Sequence, residues 1–479
     1  MTQGEIEKGL REIGLKKGDT ILLHSSLSSI GHVEGGAETV VDAFLSVLGP
    51  EGTLVVPTFG MLGVIAETVN GRPEAVRSIH PLASVAAIGG NAVEICRDHW
   101  KMELAHAEGT PYARVAEMDG YVCLLGVDQD RSTTLHTVEE LLWLPYLSPT
   151  ADIAFSTPEG EVRRSWDYFP GPHRDFIGLD RLLRESGRMR TGKIGAAVVR
   201  LIPSRELIEI VRAGGEKNPA FVLCDNPECA DCVGQRARIR AHRFSQESFR
   251  LAASSALSGR YIAEMIDSLQ AAGIGTVEID YIQGLPWPLH PREKTTAAIQ
   301  SFRAGGIEVS ALRLVSIPPA IDPLLATAAE SGINRLVMPL TPSAPEIAVA
   351  AQRKNIQVSF FNALLSGQES SAILLDLVKR NLPARFTFHA ANFARAGEKP
   401  FLESYKRKLR RFVDQLDIED AAFDGLPRVL GRGNAEIKEM ISILRCASFP
   451  GYFVLGSGNR SLRNLAETAA DFERLIDSM

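Results

Sequence analysis

Residues 18–59 read GDTILLHSSLSSIGHVEGGAETVVDAFLSVLGPEGTLVVPTF, and the order of textures within them decides the fold class. ILLHSS (21–26) is a short apolar run that ends in hydroxyls. AETVVDAFLSVLG (37–49) repeats apolar residues at helical spacing, and TLVVPTF (53–59) is a second β-rich run bounded by Gly and Pro. Strand, helix and strand in close succession are the unit from which α/β layers are built. Outward from this stretch the alternation continues. YVCLLGV (121–127) and AAVVRLI (196–202) predict further strands, and TLHTVEELLWL (134–144) predicts a helix. Upstream, MTQGEIEKGLREIGLKKGD (1–19) predicts an amphipathic helix that lacks the long apolar core of a signal peptide.

With 479 residues the chain is expected to hold two domains, or three. Apolar residues at 45% and charged residues at 23% allow a large core and argue against disorder. A formal net charge of -6 speaks against a nucleic-acid partner, which calls for a basic footprint. No apolar run approaches the roughly 18 residues that would span a membrane. Six cysteines in so long a chain make no disulfide framework. The expectation is a protein of the reducing cytoplasm, with no membrane or nucleic-acid partner; whether it forms a homo-oligomer stays open.

Near residues 213–234 the texture breaks. AGGEKNPAFVLCDNPECADCVG has no clear period, and we place the domain boundary there, giving 1–225 and 226–479. Beyond it, TVEIDY (276–281), IEVSALRLV (307–315), RLVMPL (335–340), IQVSFF (356–361), ARFTFH (384–389) and YFVLGS (452–457) predict strands separated by amphipathic stretches. A strand about every 20–30 residues is the spacing of a (β/α)8 barrel. The expected fold is thus an N-terminal α/β domain followed by a TIM-barrel-like domain. At the boundary, Cys224, Cys229 and Cys232 are spaced C-x4-C-x2-C, with His242 ten residues on. Three thiolates plus His242 or a distant cysteine would close a tetrahedral structural zinc site, whose expected role is to staple the domains; three ordinary thiols in a loop remain the alternative.

Several stretches of the first domain carry chemistry. The turn after ILL holds Ser25, Ser26, Ser28 and Ser29, then Gly31 and Gly35–Gly36 before a helix. Small residues at a helix start let backbone N–H groups approach an anion. In RSIHPLASVAAIG (77–89), Arg77 offers a planar fork to a phosphate oxygen, and Ser84 a hydroxyl at an expected helix start. In GVDQDRSTTLHTVEE (126–140), Asp130 or Ser132 can cap a helix that puts His136 in its first turn, where the dipole keeps the imidazole neutral and usable as a base. Glu139 lies three residues on and Glu140 four, so either could fix the ring. His106 precedes the G-T-P turn at 109–111 and could line the same cleft.

These ordered strings resemble the aminoglycoside 3-N-acetyltransferase family. The carriers are HSSLSSIG with GGAETVVDAF and LGPEGTL, then RSIHPLAS, GTPYAR, TLHTVEE, and the closing segment DYFPGPHRDFIGL through GKIGAAVVRLIPSREL (167–207), over about residues 4–225. The resemblance implies a CoA-dependent N-acetyltransferase acting on a small-molecule amine. Acetyl-CoA would be held near Ser25, Ser26, Ser28, Ser29, Arg77 and Ser84. His136 would be the general base, Glu139 its partner and Thr134 a nearby hydroxyl. Carboxylates suited to a polycationic aminoglycoside are not identifiable.

From about residue 236 the chain resembles xylose isomerase-like, or sugar phosphate isomerase/epimerase, barrels through LQAAGIGTVEIDY (269–281), HAANF (389–393) and DIEDAAFDGLPRVLGRGNAEIKEMISILRCASFPGYFVLGSG (417–458). The metal-binding carboxylates of that family are largely replaced. Phe361-Asn362-Ala363 stands for E-N-H, His389 for the Asp of D-P-A-N-F, and Gly456 for the last Glu, while Glu278 and Asp420 persist. We expect a barrel without its usual metal chemistry. Two rival readings remain: a metal-dependent isomerase with an accessory N-terminal domain, and a binding or scaffolding protein.

Overall fold

A computed structural model describes every residue except 61, 170–174, 318, 364 and 457–463. The chain forms two compact units, Met1–Gln235 and Arg236–Met479. Their division lies ten residues beyond the expected 225/226, inside the helix Ala230–Ser245, because the cysteine segment folds with the first unit.

The first unit is built on a seven-stranded sheet. In chain order its strands are β1 (Thr20–Ser25), β2 (Thr53–Pro57), β3 (Val76–Arg77), β4 (Val85–Gly89), β5 (Tyr121–Leu125), β6 (Arg190–Ile194) and β7 (Ala197–Pro203), and their spatial order is β6-β7-β5-β1-β2-β4-β3. β5, β1 and β2 are mutually parallel, and the outer pairings are antiparallel. Parallel strands need cover on both faces, and β1 alternates accordingly. Ile21 and Leu23 pack with helix α1 (Gln3–Glu12) and helix α2 (Gly36–Leu48), while Leu22 packs with Val55, Ala87 and Tyr112 on the other face. A capping box starts α1, Thr2 and Glu5 bonding each other's backbone N–H.

The second unit is a closed barrel of eight parallel strands: β8 (Arg250–Ser254), β9 (Thr276–Ile279), β10 (Glu308–Arg313), β11 (Arg335–Pro339), β12 (Gln357–Phe361), β13 (Phe386–His389), β14 (Val413–Ile418) and β15 (Tyr452–Leu455). Each is hydrogen-bonded to the next, and β15 pairs with β8 to close the ring. Six match expected strands; β8 and β14 do not. The closed parallel barrel agrees with the expected TIM-like architecture.

Candidate active site

The carboxyl end of β1 leads straight into the serine turn. Ser25, Ser26 and Ser28 line a cavity of about 840 Å³ together with His24, Gly31, Gly36, Gly126, Arg131 and Thr133. Ligands of open α/β sheets commonly sit beyond the carboxyl ends of the parallel strands, and this cavity has that position. The hydroxyls are mutually ordered: Ser26 and Ser28 lie 3.1 Å apart and Ser29 donates to Ser26 at 2.9 Å. Ser29 thus turns inward, close against Gly126. A Cβ built on Gly126, whose φ is +70°, would come within 2.5 Å of the Ser29 Cβ. Glycine at 126 lets the turn after β5 pass under the serine turn.

Arg77 and Ser84 are placed elsewhere. The Arg77 guanidinium lies exposed on edge strand β3 and donates to the Asn70 carbonyl, and Ser84 accepts from Thr58 at 3.0 Å. Neither is among the described residues around the cavity. Ser84 precedes strand β4 and not the helix expected there, because Val85–Ile88 form an apolar run that pairs in the sheet with β2. Among the described residues that line the cavity, the guanidinium is that of Arg131, exposed at the end of a 3-10 turn; its only signal in sequence was a basic residue just ahead of the histidine helix.

That helix, α3 (Thr134–Leu141), holds His136 in its first turn as expected, but Thr133 is its N-cap, not Asp130 or Ser132. A 3-10 turn, Gln129–Arg131, intervenes; Asp128 caps it and Asp130 accepts the backbone N–H of Ile177. His136 Nδ1 lies 2.5 Å from Glu139 Oε2. The other Glu139 oxygen accepts from the Tyr146 hydroxyl at 2.7 Å. Glu139 is buried at 1% exposure, whereas the His136 side chain keeps 17%. Phe169 stacks on the imidazole, the ring centroids 3.6 Å apart and the planes nearly parallel. Thr134 is fully buried, its Oγ1 without a partner.

Glu140 points to a different histidine. It accepts from His106 Nδ1 at 2.9 Å and from the backbone N–H groups of His106 and Ala107 at 2.7 and 2.9 Å. Adjacent helical residues diverge by about 100°, so Glu139 and Glu140 serve two imidazoles whose centroids lie 5.5 Å apart. Burial, reinforced by neighbouring histidines, pushes His80 down to about 2 and His99 to about 3, so both are neutral. His80 Nδ1 accepts the N–H groups of Leu82 and Ala83, and His99 bridges Ser78 and the Ala105 carbonyl. These two hold turns in shape. Within the closing motif, residues 170–174 lie outside the described ones.

The sulfurs of Cys224, Cys229 and Cys232 lie within 4.8 Å of one another, and among the described residues this is the one His/Cys/Asp/Glu group compact enough for a metal ion. Backbone hydrogen bonding from Cys232 draws the Cys229 thiol below its usual range, while burial pushes Cys232 up to about 12. His242 is exposed and ten residues further along the helix that carries Cys232, about 15 Å by helical rise. It is not part of the group.

In the barrel, the surviving carboxylates have protein partners. Glu278 accepts from Arg313 Nε at 2.5 Å and from Gln415, and the same guanidinium bonds both oxygens of Asp417 at 2.7 and 2.9 Å. Asp420 accepts the N–H groups of Gly433 and Ala435. Glu419 is pushed up to about 8 by burial, with His389 at 3.6 Å and Arg395 at 3.7 Å. Among the described residues, the donor set of a hard divalent cation is not assembled in the barrel.

The family model for aminoglycoside 3-N-acetyltransferases matches residues 22–62 and 59–214. Aminoglycoside N(3)-acetyltransferase IV of Salmonella sp. is 34% identical over 239 residues, covering 46% of this chain and 90% of the relative. Among solved structures, aminoglycoside acetyltransferase AAC(3)-IVa, a histidine-to-alanine variant in complex with a gentamicin, is 31% identical over 50% of this chain and 97% of its own, with a TM-score of 0.46. AAC-IIIb as a binary complex with CoASH is 25% identical over 45% and 97%, with a TM-score of 0.43. No described helix is long and apolar enough to cross a membrane. Through its first unit, this chain belongs to the aminoglycoside 3-N-acetyltransferase family and is an N-acetyltransferase.

Proposed function

We propose that the first unit moves the acetyl group of acetyl-CoA onto a primary amine of an aminoglycoside-like or other amino-sugar acceptor, with His136 as general base. The observation that carries this reading is the His136–Glu139 pair, a carboxylate buried behind a partly exposed imidazole. An ammonium must lose its proton before it attacks a thioester. A histidine whose Nδ1 is fixed by Glu139 presents its other ring nitrogen for that task, and Tyr146 holds the carboxylate in turn. Acetyl-CoA is read into the 840 Å³ cavity, where the serine turn supplies hydroxyls and Arg131 a cation for the phosphates. Thr134 adds a buried hydroxyl next to the base. Arg77 and Ser84 would reach the cofactor only where it extends beyond the cavity. The test is CoA thiol release by the full chain across a panel of amines. Release that depends on an amino sugar supports the reading, and none with any amine defeats it.

The three junction cysteines are read as a structural zinc site. Thiolates bound to one tetrahedral Zn²⁺ at about 2.3 Å lie roughly 3.8 Å from each other, which fits sulfurs all within 4.8 Å. Elemental analysis of protein purified without chelators should give about one zinc per chain, lost in the Cys229→Ser variant. Metal-free protein would retire the idea.

A further inference from the structure

His24 lies one residue ahead of the serine turn, on the face of β1 that carries Leu22, and it lines the 840 Å³ cavity. The side chain is 7% exposed, and its Nε2 is buried without a hydrogen-bond partner. Native structures rarely leave a buried polar nitrogen unpaired, and each such atom calls for an explanation. Nε2 is likewise unpaired in His80 and His106, but those rings are fixed through Nδ1, His99 is bonded at both nitrogens, and none of the three lines the cavity. No described group holds His24. Of these four rings His24 is the one at the cavity, so a molecule seated there is the partner within its reach.

We propose that His24 is a catalytic residue of acetyl transfer, its neutral imidazole donating an N–H to the carbonyl oxygen of the thioester. This rests on reading the cavity as the acetyl-CoA seat. In the step so assigned, the acceptor amine attacks the carbonyl carbon; the C–N bond forms and the π pair moves onto oxygen, against the His24 N–H. The amine proton passes to the His136 imidazole. The oxygen pair then restores the double bond, and the C–S bond breaks with its electrons going to sulfur. Sulfur takes the proton back from His136, leaving an amide and CoA thiol. Two imidazoles in one site must differ in role. Burial, and next the charge of His136, push His24 down to about 3, so it does not compete for the proton and acts as a neutral donor.

The decisive measurement is the infrared band of acetyl-CoA labelled with ¹³C at the acetyl carbonyl, bound to the full-length protein without acceptor. The carbonyl band should lie below its solution frequency in the wild type. It should return to the solution value in His24→Ala and fall between the two in His24→Gln, whose amide still donates. In turnover, His24→Ala should lower kcat about 10²–10³-fold, the usual effect of one lost oxyanion donor, and His24→Gln should regain roughly tenfold. The KM for acetyl-CoA should stay within about threefold, since ground-state binding is little changed. An unshifted band in the bound wild type, which needs no variant to fold, overturns the proposal alone, as does a His24→Ala kcat near the wild-type value. Failure of the wild type to bind acetyl-CoA overturns the cavity assignment and this proposal with it.

Discussion

His136 and Glu139 are three residues apart on one helix, and their 2.5 Å contact sets both the tautomer and the orientation of the base. The chemistry therefore depends on two side chains with separable tasks. His136→Ala should lower kcat roughly 10²–10⁴-fold, the ordinary worth of a general base, while calorimetry shows CoA affinity nearly unchanged, because the imidazole acts on the amine proton. Glu139→Gln keeps the shape and removes the charge, so its loss should be smaller than that of His136→Ala. Equal CoA binding with equal activity in all three proteins would place the base elsewhere. Of these side chains, sequence reading singled out His136, Glu139 and Thr134 and left Glu139 and Glu140 in competition. The structure separates the two carboxylates by giving Glu140 to His106. No spacing rule distinguishes i+3 from i+4 until the loop at 105–107 is in place. His24 was hidden because one histidine in an apolar strand reads like any core residue, and its meaning depends on a cavity formed by segments far apart in the chain.

At the level of elements, the serine turn and the turn after β5 form one interlocked pair, with Gly126 as the point of closest approach. Gly126→Ala adds a methyl group that meets Ser29 and forces a side chain into positive φ. A cost of about 1–2 kcal/mol in stability follows from the backbone alone, and displacement of the serines should weaken CoA binding while leaving the His136–Glu139 pair assembled. Unchanged CoA affinity would show that the serine turn does not hold the cofactor. The barrel strands that sequence reading found keep apolar residues at alternate or successive positions, as in TVEI and FTFH. β14, VDQLDI, went unrecognised because Asp414, Gln415 and Asp417 interrupt its pattern, yet the interior of this barrel is polar there, with Arg335 on Gln415 and Arg313 on Asp417. β8, RLAAS, has side chains too small to stand out from a helical stretch. Edge strand β3 spans two residues, below what periodicity can register.

Over the whole molecule, the two units carry buried titratable groups of opposite sign. In the first, His24, His80 and His99 are held at about 3, 2 and 3 against 6.5 unfolded. The unfolded chain then binds more protons, so their contribution is complete above pH 6.5 and is lost as pH falls toward 3, with a slope up to about 1.4 kcal/mol per pH unit per group. In the barrel, Glu419 is raised to about 8, and Asp280 and Asp420 are raised as well, all mainly by burial. Here the native state binds more protons, so this contribution is complete below the unfolded values and is lost as pH rises, for Glu419 through 8. Scanning calorimetry of the full chain from pH 8 to 5 should move the transition of the first unit, identified by its upward shift with CoA, to lower temperature, while the barrel transition does not follow. Two transitions falling together would contradict these assignments. Arg313, finally, gives the barrel a property of its own. A divalent ion among carboxylates is in exchange with the solution, and its occupancy follows supply. A guanidinium tethered to a strand between Glu278 and Asp417 has no off-rate. The cation between these two carboxylates is in place as soon as the polypeptide has folded.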